Sequence, residues 1–202
     1  YYTDMNVMRF GVPHDKRPLD ASYYKVGLGK MIAAIEETTG NKIEDDALRA
    51  EIIKENKKRS LLKEISELRI GADPVITSKD YVALHHASFY ADIDVYLECL
   101  EEIAEELKAK RAEVKDGEYT KPRVMVVANT IAYGDPRIHE IIENTDAEIV
   151  YEEAAEGMVP YENNVVPEGD LIDAIVDCYY TKRIRSPWDR PWGDRYDRLV
   201  AK

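Results

Sequence analysis

Arg123-Val-Met-Val-Val-Ala128, the loop Asn129-Thr130-Ile131-Ala132-Tyr133-Gly134, the pair Asp135-Pro136, and Glu148-Ile-Val-Tyr151 stand in that order near the middle of the second half of the chain. The run 123–128 is apolar without alternation and rich in β-branched residues, the pattern of a strand covered on both faces, as parallel strands are. Asp135 supplies an N-cap and Pro136 a first helical residue, and Ile138, Ile141 and Ile142 give a short helix its apolar side. Residues 148–151 form the next strand, so the whole is a βαβ unit. Its right-handed crossover brings the loops after both strands to the carboxyl edge, where open α/β sheets bind ligands. Those loops are 129–134 and 152–167.

Upstream the pattern is helical. Tyr24, Leu28, Met31, Ile32 and Ile35 follow helical spacing from Tyr23 to a left-handed stop at Gly40-Asn41. Asp45 or Asp46 caps a second helix running to Arg69, and Gly71, Asp73 and Pro74 end it. Ser78 caps a third helix through His85-His86, and Asp92 opens a fourth with the stripe Tyr96, Leu100, Ile103 and Leu107. Asp116-Gly117 reads as a linker. Residues 6–10 read as a short strand before the turn at Gly11-Val12-Pro13-His14, and 170–180 as a last helix. The expected fold class is α/β, a helical region followed by a partial Rossmann-like parallel sheet with flanking helices. Residues 1–18 would end an upstream α/β unit, 19–117 form the helical region, and 118–202 form an incomplete Rossmann-like unit.

The 202 residues carry 28 basic and 40 acidic side chains, a net charge of -12, which removes the electrostatic attraction that nucleic-acid and membrane-surface binding depend on. No nucleic-acid or membrane partner is expected, and no apolar run approaches a membrane span. Cys99 and Cys178, far apart, cannot form a disulfide framework, a zinc quartet or a full iron-sulfur ligand set, a usage that fits a reducing cytoplasm. The polar and aromatic N-terminus, Tyr1-Tyr2-Thr3-Asp4, does not read as a signal peptide and looks like the start of an excised or partial segment.

Several residues are candidates for chemistry. The loop after the first strand lacks Gly-x-Gly-x-x-Gly, which argues against an ordinary dinucleotide site. Asn129 and Thr130 can contact a carbonyl or hydroxyl of a ligand, or can simply cap their own loop. Glu152 and Glu153, followed by Ala154-Ala155-Glu156-Gly157, put acids and a glycine at the same edge, where neighbouring carboxylates suit acid-base work or stand solvated. Adjacent His85 and His86 point in different directions on a helix and read as structural. Cys99 is expected to pack as a small hydrophobe, while Cys178, near Lys182, Arg183 and Arg185, is the better thiolate candidate. From Thr181 onward, arginines interleave with Trp188 and Trp192, suiting either a nucleotide-like anion or a subunit seam.

An ordered set of segments resembles the central part of the 2-hydroxyacyl-CoA dehydratase and benzoyl-CoA reductase family. The set is Val12-Pro13-His14-Asp15-Lys16, Glu36-Glu37-Thr38-Thr39-Gly40-Asn41-Lys42-Ile43, Asp46-Ala47-Leu48-Arg49, Asn56-Lys57-Lys58-Arg59-Ser60-Leu61-Leu62, Leu68-Arg69, the strand at 123–128 and Ile141-Ile142-Glu143. The resemblance implies two Rossmann-like domains joined by helices and an iron-sulfur enzyme of anaerobic cytoplasmic metabolism. It also implies an acyl-CoA substrate, a homologous partner subunit and an ATP-dependent activator protein that delivers electrons. A ketyl radical anion of the thioester would let a hydroxyl leave, or an aromatic ring accept electrons. The [4Fe-4S] cluster would belong to the full-length subunit, with none on this segment alone and no metal ligand assigned here. Ala154-Ala155 stands where relatives often carry a cysteine, and Ala128-Asn129-Thr130 replaces a Ser-Gly type of turn. By their loop positions, Asn129, Thr130, Glu153 and Gly157 are expected to contact the substrate, and no catalytic residue is assigned. The alternatives are a non-catalytic scaffold or assembly subunit and, behind it, a small-anion binding protein.

Overall fold

The computed structural model describes residues 7–13, 15–132, 134–183 and 193–200. By internal contacts the chain divides into two compact units, one of Tyr1–Ile53 with Val165–Lys202 and one of Lys54–Asn164. Among the described residues no helix is long and apolar enough to cross a membrane. The architecture is α/β, with helices in both units and a two-stranded parallel sheet in the second.

In the first unit, helix α1 (Pro18–Thr39) begins earlier than the apolar spacing predicts, because Pro18 occupies its first turn and the Asp20 carboxylate accepts from the Arg17 backbone N–H at 3.3 Å. It ends at Gly40, whose φ of 71° lets its N–H reach the Glu36 carbonyl at 2.9 Å. Against α1 pack α6 (Leu171–Val176) and the π-helical turns Asp177–Lys182. Leu28, Val176 and Tyr180 are buried there, and the Tyr24 ring stacks on Tyr180 at 4.9 Å. A second cluster holds Ile52, Val165, Leu171 and Cys178. Residues 7–10 take no regular structure. Among the described residues of its own unit the expected strand at 6–10 has no neighbouring strand, and Phe10 instead sets its ring edge-on to Tyr24. Trp188, Trp192 and most of the Arg-rich tail lie outside the described residues; the helix α7 (Gly193–Val200) follows them.

The second unit carries the sheet. Helix α2 (Asp45–Glu67) enters it from residue 54, followed by α3 (Ser78–Ala87), α4 (Ile93–Ala112), β1 (Arg123–Val127), α5 (Arg137–Glu143) and β2 (Glu148–Glu153). α2 stops two residues short of Arg69, tightening into turns in which the N–H of Arg69 reaches the Ser66 carbonyl at 3.1 Å. β1 and β2 pair in parallel from Arg123 opposite Glu148 to Val127 opposite Glu153, with a register shift after Val124 that skips Val150. Leu62 and Ile65 of α2, Tyr81 of α3, Tyr96, Leu100, Ala104 and Leu107 of α4, and Tyr151 of β2 form one core with Met158 and Tyr161. The α4 stripe is the predicted one, completed by Leu97 and Ala104, with Asp92 capping the amides of Asp94 and Val95.

Two caps differ from expectation. Thr77, not Ser78, caps α3 by accepting from the Asp80 amide at 3.1 Å, which frees the Ser78 hydroxyl to turn inward. At α5 the N-cap position falls on Pro136. Asp135 still accepts from the Arg137 amide at 3.2 Å and from its guanidinium Nε at 2.7 Å, which holds the Asp135 carboxyl well down, at about 2.

Candidate functional site

Beyond the last paired residues the two strands stay tied. The Ala128 N–H donates to the Glu153 carbonyl at 3.1 Å, and the Ala155 N–H to the Asn129 carbonyl at 3.2 Å, extending the ladder into both loops. Glu156 then reaches across. One carboxylate oxygen accepts from the Thr130 hydroxyl at 2.5 Å and the other from the Ile131 amide at 2.6 Å. A carboxylate taking a hydroxyl and an amide together makes strong charge-assisted bonds and fixes the loop after β1. Of the three acids at this edge, Glu152, Glu153 and Glu156, it is Glu156 that fastens the loop after β1, a role its place before a glycine did not reveal.

The four predicted contact residues separate into two kinds. Asn129 and Thr130 are exposed on the loop after β1, and none of the four predicted residues lines the cavity described below. Glu153, the last residue of β2, is buried, with only 1% of its surface exposed. Gly157 is also buried, and a Cβ there would lie 2.2 Å from the Glu152 carbonyl oxygen, the same oxygen that accepts from the Met158 amide at 2.9 Å. Gly157 therefore lets the chain fold back against the end of β2. Ala154 packs with Val82 and Ile131, closing the space between α3 and the loop.

Glu152 and Glu153 are not solvated loop acids. Glu152 faces the interior, where Arg69 holds it with two hydrogen bonds and the Ser78 hydroxyl donates a third. Arg69 lies over the Tyr81 ring at 4.2 Å from its centroid. Together these groups form a buried charged cluster at the end of β2, in which both terminal nitrogens of Arg69 are hydrogen-bonded and its Nε is not.

A cavity of about 400 Å³ is lined by Val82, His86 and Tyr90 from α3 and its end, by Ile131 and Asp135 from the loop, and by His139 from α5. Both histidines of the His85-His86 pair are buried: His86 lines the cavity, and His85 meets the Tyr161 hydroxyl through Nδ1. Burial, then the neighbouring His86, pushes the His85 imidazole down to about 4, so it is neutral at pH 7. Burial also lowers His139. The cysteines exchange the parts expected of them. Cys99 is exposed on α4, whereas Cys178 is buried among Ile52, Val165 and Leu171.

Over residues 1–202 the sequence matches the family model for 2-hydroxyglutaryl-CoA dehydratase, D-component. The chain belongs to this family. It is also similar to the Escherichia coli (strain K12) protein named "Putative dehydratase subunit YjiM", with 24% identity over 159 residues that cover 77% of this chain. The chain spans 41% of that relative's length.

Membership in the 2-hydroxyglutaryl-CoA dehydratase D-component family raises the matter of a cluster. A [4Fe-4S] centre takes four thiolates. Cys99 and Cys178 are two, and among the described residues no three His, Cys, Asp or Glu side chains gather as a metal site. The small Ala154 side chain is packed in apolar contact at the sheet edge and offers no donor. The donor set of these residues does not fit the cluster.

Proposed function

We propose that this chain is the central part of a dehydratase subunit that binds a 2-hydroxyacyl-CoA thioester at the carboxyl edge of β1 and β2. The observation that carries the reading is the Glu156 bridge to Thr130 and Ile131. It preorganises a loop edge beside a cavity of about 400 Å³, as a small-molecule site on an open α/β sheet requires. Asn129 is exposed beside this loop with its side-chain amide, and the Thr130 hydroxyl, donating to Glu156, keeps its oxygen as an acceptor, both suited to the polar parts of a pantetheine-like chain. Glu153 acts from below as a buried support, and Gly157 holds the turn on which Glu156 stands.

On this reading the complete enzyme is of the 2-hydroxyacyl-CoA dehydratase type rather than the benzoyl-CoA reductase type, a preference supported by the description of the matching family. The difficult chemistry is the one-electron route through a ketyl radical anion, and the [4Fe-4S] cluster is carried by parts of the subunit outside this chain. A homologous partner subunit and an ATP-dependent activator complete the anaerobic, cytoplasmic assembly. The share of this chain is positioning and exclusion of water.

The test is an anaerobic assay of the assembled enzyme with partner and activator, following 2-enoyl-CoA formed from 2-hydroxyacyl-CoA. Thr130→Val and Asn129→Ala are expected to raise KM several-fold. Turnover that ignores both substitutions contradicts the placement, and absence of any dehydration contradicts the function.

A second reading, a non-catalytic assembly subunit, draws on the exposed apolar stripe of α1, where Leu19, Tyr23 and Val26 stand 77%, 60% and 57% exposed at helical spacing. Leu19→Glu with Val26→Glu would then abolish association with the partner subunit while acyl-CoA fails to bind even the unmodified protein.

A further inference from the structure

Helix α5 packs on β2, and the one side chain it buries is titratable: His139, 2% exposed. The apolar residues of the helix do not anchor it, since Ile141 and Ile138 are 67% and 37% exposed and Ile142 is half-buried. The core that joins α2, α3, α4 and β2 contains no residue of α5. The helix can therefore leave without dismantling the unit beneath it, as weakly anchored segments do in local opening.

Both ring nitrogens of His139 are shut off from solvent and have no hydrogen-bond partner. A neutral imidazole bears that at a cost, but an imidazolium presents two N–H donors and a charge, each of which needs a partner. No carboxylate is free to supply one. Glu152 of β2 is taken up by Arg69 and the Ser78 hydroxyl, Asp135 of the preceding loop by Arg137, and Glu143 on the same helix is exposed. The cations acting on the ring, Lys79 of α3 and Arg69 of the turn after α2, oppose a further positive charge. His86 of α3 and Tyr90 beyond it line the same cavity and carry no carboxylate. In the closed helix His139 has nowhere to put a proton.

We propose that α5 is a proton-operated latch: it lies closed on β2 while His139 is neutral and swings out when the ring takes up a proton, removing the cavity wall that Pro136 and His139 form. The latch goes beyond the thioester reading and does not depend on it. Burial holds His139 below its ordinary value of 6.5 in the closed helix, and opening returns it there. Between those values the open form binds a proton that the closed form refuses, so opening is favoured as pH falls.

The test is amide exchange of the full chain, followed by NMR from about pH 7.5 to about pH 5 and corrected for the intrinsic pH dependence of exchange. The probes are the Glu140 and Asn144 amides, which donate to the Pro136 and Glu140 carbonyls at 2.9 and 3.0 Å. They are expected to exchange faster than the amides of α4 at every pH and to lose up to about tenfold of their protection per pH unit below 6.5, the slope for one proton. His139→Phe is expected to remove that slope and His85→Asn to keep it. Protection in α5 that stays flat with pH, that equals protection in α4, that keeps its slope in His139→Phe or that loses it in His85→Asn overturns the latch. If His139→Phe does not fold, the ring resonances of His139 in the unmodified protein decide. Protonation in step with the opening of α5 supports the latch, and a protonated ring beneath still-protected Glu140 and Asn144 amides overturns it.

Discussion

The Arg69 guanidinium holds the Glu152 carboxylate through two parallel bonds, Nη1 to Oε1 at 2.8 Å and Nη2 to Oε2 at 2.5 Å, with both side chains at 0% exposure. The pair joins the turn after α2 to the end of β2, and Ser78 at the start of α3 adds its hydroxyl. Three elements converge on one carboxylate at the end of β2, next to the loop on which Glu156 stands.

Removing one partner leaves a buried charge without its counterion. Glu152→Gln or Arg69→Met is expected to cost about 3–5 kcal/mol in urea unfolding, whereas Arg69→Met with Glu152→Leu recovers much of the loss because both charges leave together. Equal destabilisation by the single and double variants would contradict the pairing.

Gly157 and Gly29 make opposite predictions from the same substitution. Gly157→Ala places a Cβ 2.2 Å from the Glu152 carbonyl oxygen and is expected to destabilise by at least about 1–3 kcal/mol, since backbone must move. Gly29→Ala lies within α1 and meets nothing within 4 Å, so it should stabilise by about 0.5–1 kcal/mol. Thermal melts of the two variants against the unmodified protein provide the comparison.

His85 gives stability a slope at mildly acidic pH. Its folded value of about 4 lies below the ordinary 6.5, so between these values the unfolded chain binds a proton that the folded chain refuses. Stability is then present above pH 6.5 and falls as pH drops toward 4, by about 3 kcal/mol in total, with His139 acting in the same direction. Melting temperatures from pH 7 to pH 4.5 should fall more steeply for the unmodified protein than for His85→Asn. Parallel curves would remove His85 as the cause. Glu156, Lys58, His86 and the Tyr161 hydroxyl face this imidazole and are unchanged in that variant.

Glu156→Ala removes the bonds to Thr130 and Ile131 without touching the charged cluster at the end of β2. Faster amide exchange at Ile131 and about tenfold weaker acyl-CoA binding are expected, each charge-assisted bond contributing about 1.5–3 kcal/mol. Unchanged exchange at Ile131 would contradict the bridge.

The βαβ unit was legible because its signals are local: a continuous β-branched run, a proline-marked helix start and a second strand at crossover distance. The helical stripes of α2 and α4 were legible for the same reason. Burial of Glu152 was not, because two adjacent acids before a glycine carry no trace of Arg69, a partner 83 residues away. Cys99 and Cys178 show a similar limit. Both sit among apolar neighbours in sequence, and only packing against Ile52 and Val165 distinguishes the buried one. The strand expected at 6–10 failed on the same ground, since a strand is defined by a neighbour that its own residues do not specify. Asn129, Thr130, Glu153 and Gly157 were legible as a sheet edge, while the cavity and its unpaired His139 depend on how α3 and α5 approach the loop.

Hydrogen-deuterium exchange of the protein with and without saturating 2-hydroxyacyl-CoA tests the placement of substrate most directly. Protection is predicted in the segments 128–139 and 153–158 and in α3 around Val82 and His86, with little change in α1 or α6. Protection confined to α1 and α6, or none anywhere at saturation, would contradict a substrate site at the carboxyl edge of β1 and β2.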